Sequence, residues 1–404
     1  MIIIINYFFF IMSKTPGILM TNIEKPKTDT LNYAYKILSN GLTVLFISDP
    51  KANKSSAALG VNVGNLLDKQ DEQGLAHFCE HLLFMGTDKY PMENEYSNYL
   101  SKNSGNSNAS TTTDRTIFYF DVSNEGFEGA LDRFAQFFIC PKFNEGSVER
   151  EINAVDSEFS KNINNDSWRV QHLKAVETKK DSCFNKFSTG NKKTLSLPDI
   201  RDRLLVFYKK YYTSEMMYLC VYSKKPMEEL VKFVEDLFVL VPKIENFKKP
   251  RYDEIMPYDE TNLKYLYKIV PVKNADEICF EWFLPFCDNY YASPLQYLSS
   301  VFGHEGPNTL TSSLYKDNLC NGLVAGPLNK SNTYYCFIIT ITLTKKGSEN
   351  YKEVILRTLK YIKNIQAQKI NENYFNDIKT IKQIKFDYKK KCLLLILPKN
   401  MLEN

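Results

Sequence analysis

The chain has 404 residues, room for two or three domains that each bury a core, which excludes a disulfide miniprotein or a single small module. Its 44% apolar and 24% charged residues, with 16 Gly and 16 Pro, exclude collagen-like and wholly disordered chains. Fifty-one basic against 47 acidic residues leave a net charge of +4, too small an excess to point to nucleic acid or a membrane surface.

The apolar run from Ile2 to Met12 is too short to cross a bilayer, and neither a basic residue before it nor a small-residue cleavage site after it marks a signal peptide. Residues 1–20 are read as a lead, disordered or lying ahead of a start at Met12 or Met20. The first arginine is Arg115, so an Arg-rich transit peptide is excluded. After a polar lead-in from Thr21 to Thr30, Gly41–Asp49 and Ser55–Gly64 read as two strands around a turn with Pro50 and Asn53, and a hairpin is expected. Helical spacing follows from Asp71 to Phe84, with Gly86 just past its end, and again from Glu93 to about Lys102. The Ser/Asn/Gly/Thr-rich stretch Ser104–Thr113 reads as a connection, and Thr116–Ser123 as a strand.

Helical periodicity resumes over Glu125–Phe138 and about Glu145–Ile163; Ser214–Ser223 reads as a strand and Met227–Leu240 as a helix. The order implies an α+β fold with a mainly antiparallel sheet packed against helices. A first domain over 21–241 is expected, then a linker over 242–262, rich in Lys, Glu, Pro and Asp. A second αβ domain over 263–404 carries strands at Tyr265–Val272, Ile278–Pro285 and Tyr334–Leu343 and helices at Gln296–Phe302 and Leu310–Asp317. Nine cysteines, an odd number without a CxxC pair, read as reduced thiols in a cytosol-like compartment. Cytoplasmic residence is expected, with mitochondrial or peroxisomal pools left open.

Of four histidines, His77 and His81 sit four apart in Gly74-Leu-Ala-His-Phe-Cys-Glu-His-Leu-Leu-Phe84. On a helix this spacing puts both imidazoles on one face, with Glu80 at its border. This is the H-x-x-E-H arrangement of inverted zincins. Imidazoles suit Zn²⁺, and a catalytic site needs three protein ligands and one open position. Glu80, adjacent to His81, suits a general base acting on zinc-bound water. A third ligand is expected in Glu149-Arg-Glu-Ile-Asn-Ala-Val-Asp-Ser-Glu-Phe159, where Glu151 and Glu158 lie two helical turns apart on one face. One would bind metal and the other orient a histidine; spacing alone does not choose between them.

Long runs of the chain resemble the insulin-degrading enzyme (insulysin) branch of the pitrilysin-type inverted zincin metallopeptidases. They are Gly74–Thr87, Tyr90–Tyr96, Gly129–Phe138, Arg150–Glu158 and Gly303–Pro307, within a resemblance spanning Asn32 to Asn350. The resemblance implies one zinc held by His77, His81 and Glu158, with Glu80 as catalytic base and Glu151 behind the ligands. It also implies that Asn106–Ser110 is an active-site edge strand, where Asn108 and Ala109 pair with an extended peptide. Ser110 departs from the aromatic residue often found there. Trp168 matches a family aromatic near the substrate, a core tryptophan being the competing reading. Gly303–Leu310 and Leu323–Pro327, with Gly306 and Val324, resemble an exosite for the substrate's amino-terminal end. His304 is a secondary contact there, and His172 packs or faces solvent.

The resemblance implies a zinc metalloendopeptidase acting on insulin- or amyloid-type hormone and regulatory peptides by Glu-assisted attack of zinc-bound water. The ligand set of two histidines and one carboxylate is shared with non-haem iron, and zinc is preferred. Family members have four homologous domains in two halves, of which this chain supplies the first and part of the second, and the tail Cys392–Pro398 leaves the family pattern. A truncated product is therefore expected. The alternative is a non-catalytic peptide-binding half-molecule that needs a C-terminal half or a partner. Peptides are the expected ligands, with no nucleic acid and no stable membrane association; a homo-oligomer or a complementing C-terminal half would complete the assembly.

Overall fold

The computed structural model describes residues 16–251, 256–263, 265–273, 276–285, 294–330 and 334–388. The first fifteen residues of the lead and the tail from residue 389, with Cys287 and Cys392, lie outside the described residues. The chain forms two compact units with a boundary between Pro250 and Arg251.

The first unit contains, in order, β1 (Asn32–Ile37), β2 (Thr43–Ser48), β3 (Lys54–Val61), α1 (Leu75–Leu83), α2 (Glu95–Lys102), β4 (Asn106–Thr111), β5 (Thr116–Ser123), α3 (Phe127–Ile139), α4 (Glu145–Asn162), α5 (Asp166–Val176), α6 (Lys192–Leu195), α7 (Ile200–Tyr211), β6 (Met217–Ser223) and α8 (Met227–Phe238). Its six-stranded sheet has the order β1-β2-β6-β3-β5-β4. Only the β2–β6 pair is parallel, so the sheet is mainly antiparallel and the fold α+β.

Strand side chains alternate between two faces, and both faces of the central strands are covered. Val44 and Phe46 of β2 join Ala57, Leu59 and Val61 of β3 in the main core beneath the helices. Leu45 and Ile47 point the other way, into a smaller cluster with Tyr33, Cys220 and Tyr222 that Ile23 of the lead-in covers. The helical layer is rich in aromatics. Phe134 and Phe138 of α3 meet Phe120 and Phe118 of β5 edge-on at 5.2 and 5.4 Å, which anchors β5 and, through it, β4 at the sheet's end.

Four expectations are corrected. The stretch Ser104–Thr113, read as a connection, contains strand β4. β2 and β3 do not form a hairpin, because β6 lies between them and pairs with both. A strand returning from so far downstream leaves no trace in the local turn residues. The helix expected from Asp71 begins at Leu75, after Gly74 at φ 93°. Tyr265–Val272 belongs to no strand. Its apolar side chains are exposed, Val270 at 81%, and β-rich composition without a buried face does not select a strand.

The second unit contains β7 (Glu277–Pro285), α9 (Pro294–Phe302), α10 (Leu310–Lys316), β8 (Cys320–Lys330), β9 (Tyr334–Leu343), α11 (Lys345–Glu349), α12 (Tyr351–Ala367) and α13 (Glu372–Asp387). Its sheet runs β7-β9-β8, antiparallel throughout. Leu314, Phe337, Ile339, Ile341 and Val354 form its core. No helix among the described residues is long and apolar enough to cross a membrane. The seven cysteines of the described residues are all free thiols.

Candidate metal centre

Helix α1 is buried almost all round: Leu75, Ala76, Phe78, Cys79, Leu82 and Leu83 lie in the core. Only the His77–His81 edge opens outward, and α4 packs across it. Helix α4 buries Val148, Ile152 and Val155 at helical spacing, which turns Glu151 and Glu158 toward the two histidines.

The Nε2 atoms of His77 and His81 lie 3.5 and 3.7 Å from Oε2 of Glu158. The three residues offer one donor atom each within 4.8 Å of one another. In a tetrahedral zinc site with bonds of about 2.0–2.1 Å, ligand atoms sit roughly 3.3 Å apart. The donor set and its spacing therefore fit zinc. Both imidazoles are held from behind. His77 Nδ1 donates to the Thr189 carbonyl at 2.7 Å, and His81 Nδ1 donates to Glu151 Oε2 at 3.0 Å. Each acceptor fixes the proton on Nδ1 and leaves the Nε2 lone pair for a metal.

Electrostatics divide the two histidines. Burial holds His77 below the usual imidazole range. Burial also acts against the charged form of His81, but the hydrogen bonds to Glu151 and Glu158 outweigh it and lift the group to about 9. The same bond to His81 holds Glu158 below the usual carboxylate range. Glu80 is 8% exposed, and burial pushes its carboxyl up to about 7 against the hydrogen bond from Thr111 Oγ1.

Thr111 ends β4, the last strand of the sheet. Thr112 N–H donates to the Arg115 carbonyl, and alternation along an antiparallel pair then turns the main-chain groups of Ser107, Ala109 and Thr111 to the outer edge, which no strand among the described residues occupies. Two of those N–H groups are covered by neighbouring side chains, Asn106 Oδ1 over Ser107 and Asn108 Oδ1 over Ala109, each at 2.9 Å.

The donor cluster consists of His77, His81 and Glu158 alone among the predicted residues. Trp168, on α5, is 37% exposed and is no core tryptophan. His172 packs edge-on against Phe187. Gly306 and Val324 belong to the second unit, where Gly306 N–H donates to His304 Nδ1 at 2.9 Å and Val324, on β8, is exposed. Sequence reasoning missed Thr111 and Thr189. Thr111 was within reach of a period-of-two reading; Thr189 acts through its carbonyl, which no side-chain pattern reveals.

A family model described as Insulinase (Peptidase family M16) matches residues 43–179, and one described as Peptidase M16 inactive domain matches residues 199–382. The chain belongs to peptidase family M16. It is 43% identical over 377 residues to insulin-degrading enzyme of Homo sapiens, covering 92% of this chain and 37% of that protein. It is 39% identical over 374 residues to the A-factor-processing enzyme of Saccharomyces cerevisiae, covering 90% of this chain and 36% of that protein. The crystal structure of pitrilysin superposes with a TM-score of 0.90 at 30% identity, covering 96% of this chain and 42% of that one. This M16 chain thus spans well under half the length of those relatives. A protease from Helicobacter pylori shares the fold at TM-score 0.67 and 16% identity, covering 94% of this chain and 88% of that one.

Proposed function

We propose that this M16 chain carries the zinc site of a metalloendopeptidase that hydrolyses extended peptides, of the insulin- or amyloid-type hormone and regulatory class. One observation carries the reading: three donor atoms from His77, His81 and Glu158 converge beside the buried carboxyl of Glu80 and the outer edge of β4. The names of the relatives, insulin-degrading and A-factor-processing enzymes, support peptides as substrates.

Zinc bound by these residues would polarise the scissile carbonyl and acidify a water. Glu80 takes the proton from the attacking water and returns it to the leaving amine. Thr111 holds the carboxylate of Glu80 in place. The peptide adds as a strand to β4 at Ala109, as expected, and at Ser107 in place of the expected Asn108, whose main chain is turned to β5 by the register; the Asn106 and Asn108 side chains give way to the peptide's main chain. Because main-chain bonds supply the affinity, many sequences are accepted. Trp168 offers an exposed aromatic face to the substrate, and Gly306 and Val324 of the second unit hold its amino-terminal end. Residues 21–241 act as the catalytic domain, joined through 242–262 to a second domain. The free thiols support work in the cytoplasm, a mitochondrial or peroxisomal pool being the alternative.

The alternative reading concerns catalysis by the residues of this chain alone. In it the chain is a peptide-binding half-molecule that becomes catalytic when a C-terminal half or another copy joins it. Cleavage of a quenched fluorogenic peptide by the full chain separates the two. Turnover that Glu80→Gln abolishes supports a self-sufficient peptidase. Zinc and peptide binding without turnover supports the half-molecule.

A further inference from the structure

The segment Asn185–Gly190 lies outside every helix and strand, yet it is fastened at several points to the Leu66–Gly74 stretch that leads into α1. Gln70 Nε2 donates to the Asn185 carbonyl at 3.2 Å, and the Phe187 N–H donates to Gln73 Oε1 at 2.7 Å. Lys186 Nζ donates to two main-chain carbonyls, that of Leu66 at 2.7 Å and that of Asp68. Gly74 and Gly190 touch backbone to backbone. A Cβ on Gly74 would stand 2.2 Å from Gly190 Cα, and one on Gly190 would stand 3.1 Å from Gly74 Cα and 3.0 Å from Leu195 Cδ1. Both glycines have positive φ, +93° and +77°, a region that L side chains avoid.

Between these fastenings the Thr189 carbonyl meets His77 Nδ1. The two histidines are thus oriented by different means. His81 leans on a carboxylate from a regular helix, whereas His77 leans on one carbonyl of an irregular segment. That carbonyl keeps its aim only while the segment keeps its place.

We propose that Asn185–Gly190 is a latch that positions the first metal ligand, with Lys186 and Gly190 as its positioning residues. It sets the Thr189 carbonyl so that His77 carries its proton on Nδ1 and presents Nε2 to the metal. The inference rests on the zinc-site reading above.

Zinc affinity of the full chain, measured by competition with a chromophoric chelator, tests the latch together with ¹⁵N-histidine NMR of the zinc-free protein. Gly190→Ala and Lys186→Met weaken zinc binding by about 10–100-fold, the loss usual when the partner behind a ligating histidine is disturbed. The NMR spectrum shows His77 protonated on Nδ1 in the parent. A folded Gly190→Ala variant that binds zinc like the parent overturns the latch, as does a parent with His77 protonated on Nε2. If the variants fail to fold, the parent's His77 spectrum decides alone. A parent that binds no zinc removes the metal-centre reading and the latch with it, whereas a zinc-binding parent with unaffected folded variants removes the latch only.

Discussion

Glu151 and His81 stand 3.0 Å apart, carboxylate oxygen to Nδ1, on two helices that cross over the metal centre. The contact turns the opposite nitrogen of His81 toward Glu158 and fixes which tautomer His81 adopts. Glu151→Gln keeps the shape but lets the amide present either oxygen or nitrogen to the ring. Zinc affinity by chelator competition is expected to fall about 10–100-fold, with the far-UV circular dichroism unchanged. Unaltered affinity would mean that Glu151 does not orient His81.

Thr111 reaches Glu80 from the end of β4. Thr111→Val removes the hydroxyl while conserving shape. A lost hydrogen bond to a charged group of about 1.5 kcal/mol corresponds to roughly tenfold in rate. Steady-state kinetics on a peptide should show the drop in kcat rather than KM, with zinc content unchanged.

The outer edge of β4 is tested by Ala109→Pro. Proline removes one outward N–H and is tolerated on edge strands; Ala109 stands opposite Phe118 of β5, but by the alternation of the pair the β4–β5 hydrogen bonds fall on Asn108 and Ser110 instead. Peptide KM is expected to rise about tenfold for the loss of roughly one hydrogen bond, with zinc binding intact. An unchanged KM would show that substrate does not add to this strand.

Asp68 supports α1 from below. Its carboxyl accepts the N–H groups of Gly74 and Ala76, each at 2.9 Å, and is buried. Burial pushes it up to about 7 from 3.8, against the two hydrogen bonds and the charge of Lys186. A raised acid favours the protonated fold, so its contribution to stability is fully present below about pH 4 and is lost as pH rises through about 7. Asp68→Asn carries no such proton. In urea unfolding from pH 4 to 8, the stability of the variant relative to the parent should therefore climb with pH. A difference independent of pH would contradict the assignment.

The sequence revealed His77, Glu80 and His81 together because helical period alone decides their common edge. It left Glu151 and Glu158 open, since both lie on the same face of α4. What separates them is the crossing of α4 over α1, a tertiary relationship that spacing does not contain. Helix α5 escaped notice for a related reason. It buries none of its residues, so no apolar stripe marks it. β4 read as a connection because Asn, Ser and Thr dominate it; only the family resemblance placed a strand there. The supposed β2–β3 hairpin failed on a non-local pairing, as β6 arrives between its strands from more than 150 residues downstream.

The most direct test of the account is zinc bound per chain, measured by elemental analysis after dialysis, for the parent, Glu80→Gln, His81→Ala and Glu158→Ala. The account predicts one zinc in the parent and in Glu80→Gln, where the ligands remain, and its loss in the other two. A parent without zinc, or a His81→Ala or Glu158→Ala variant that keeps it, would contradict the centre built from His77, His81 and Glu158.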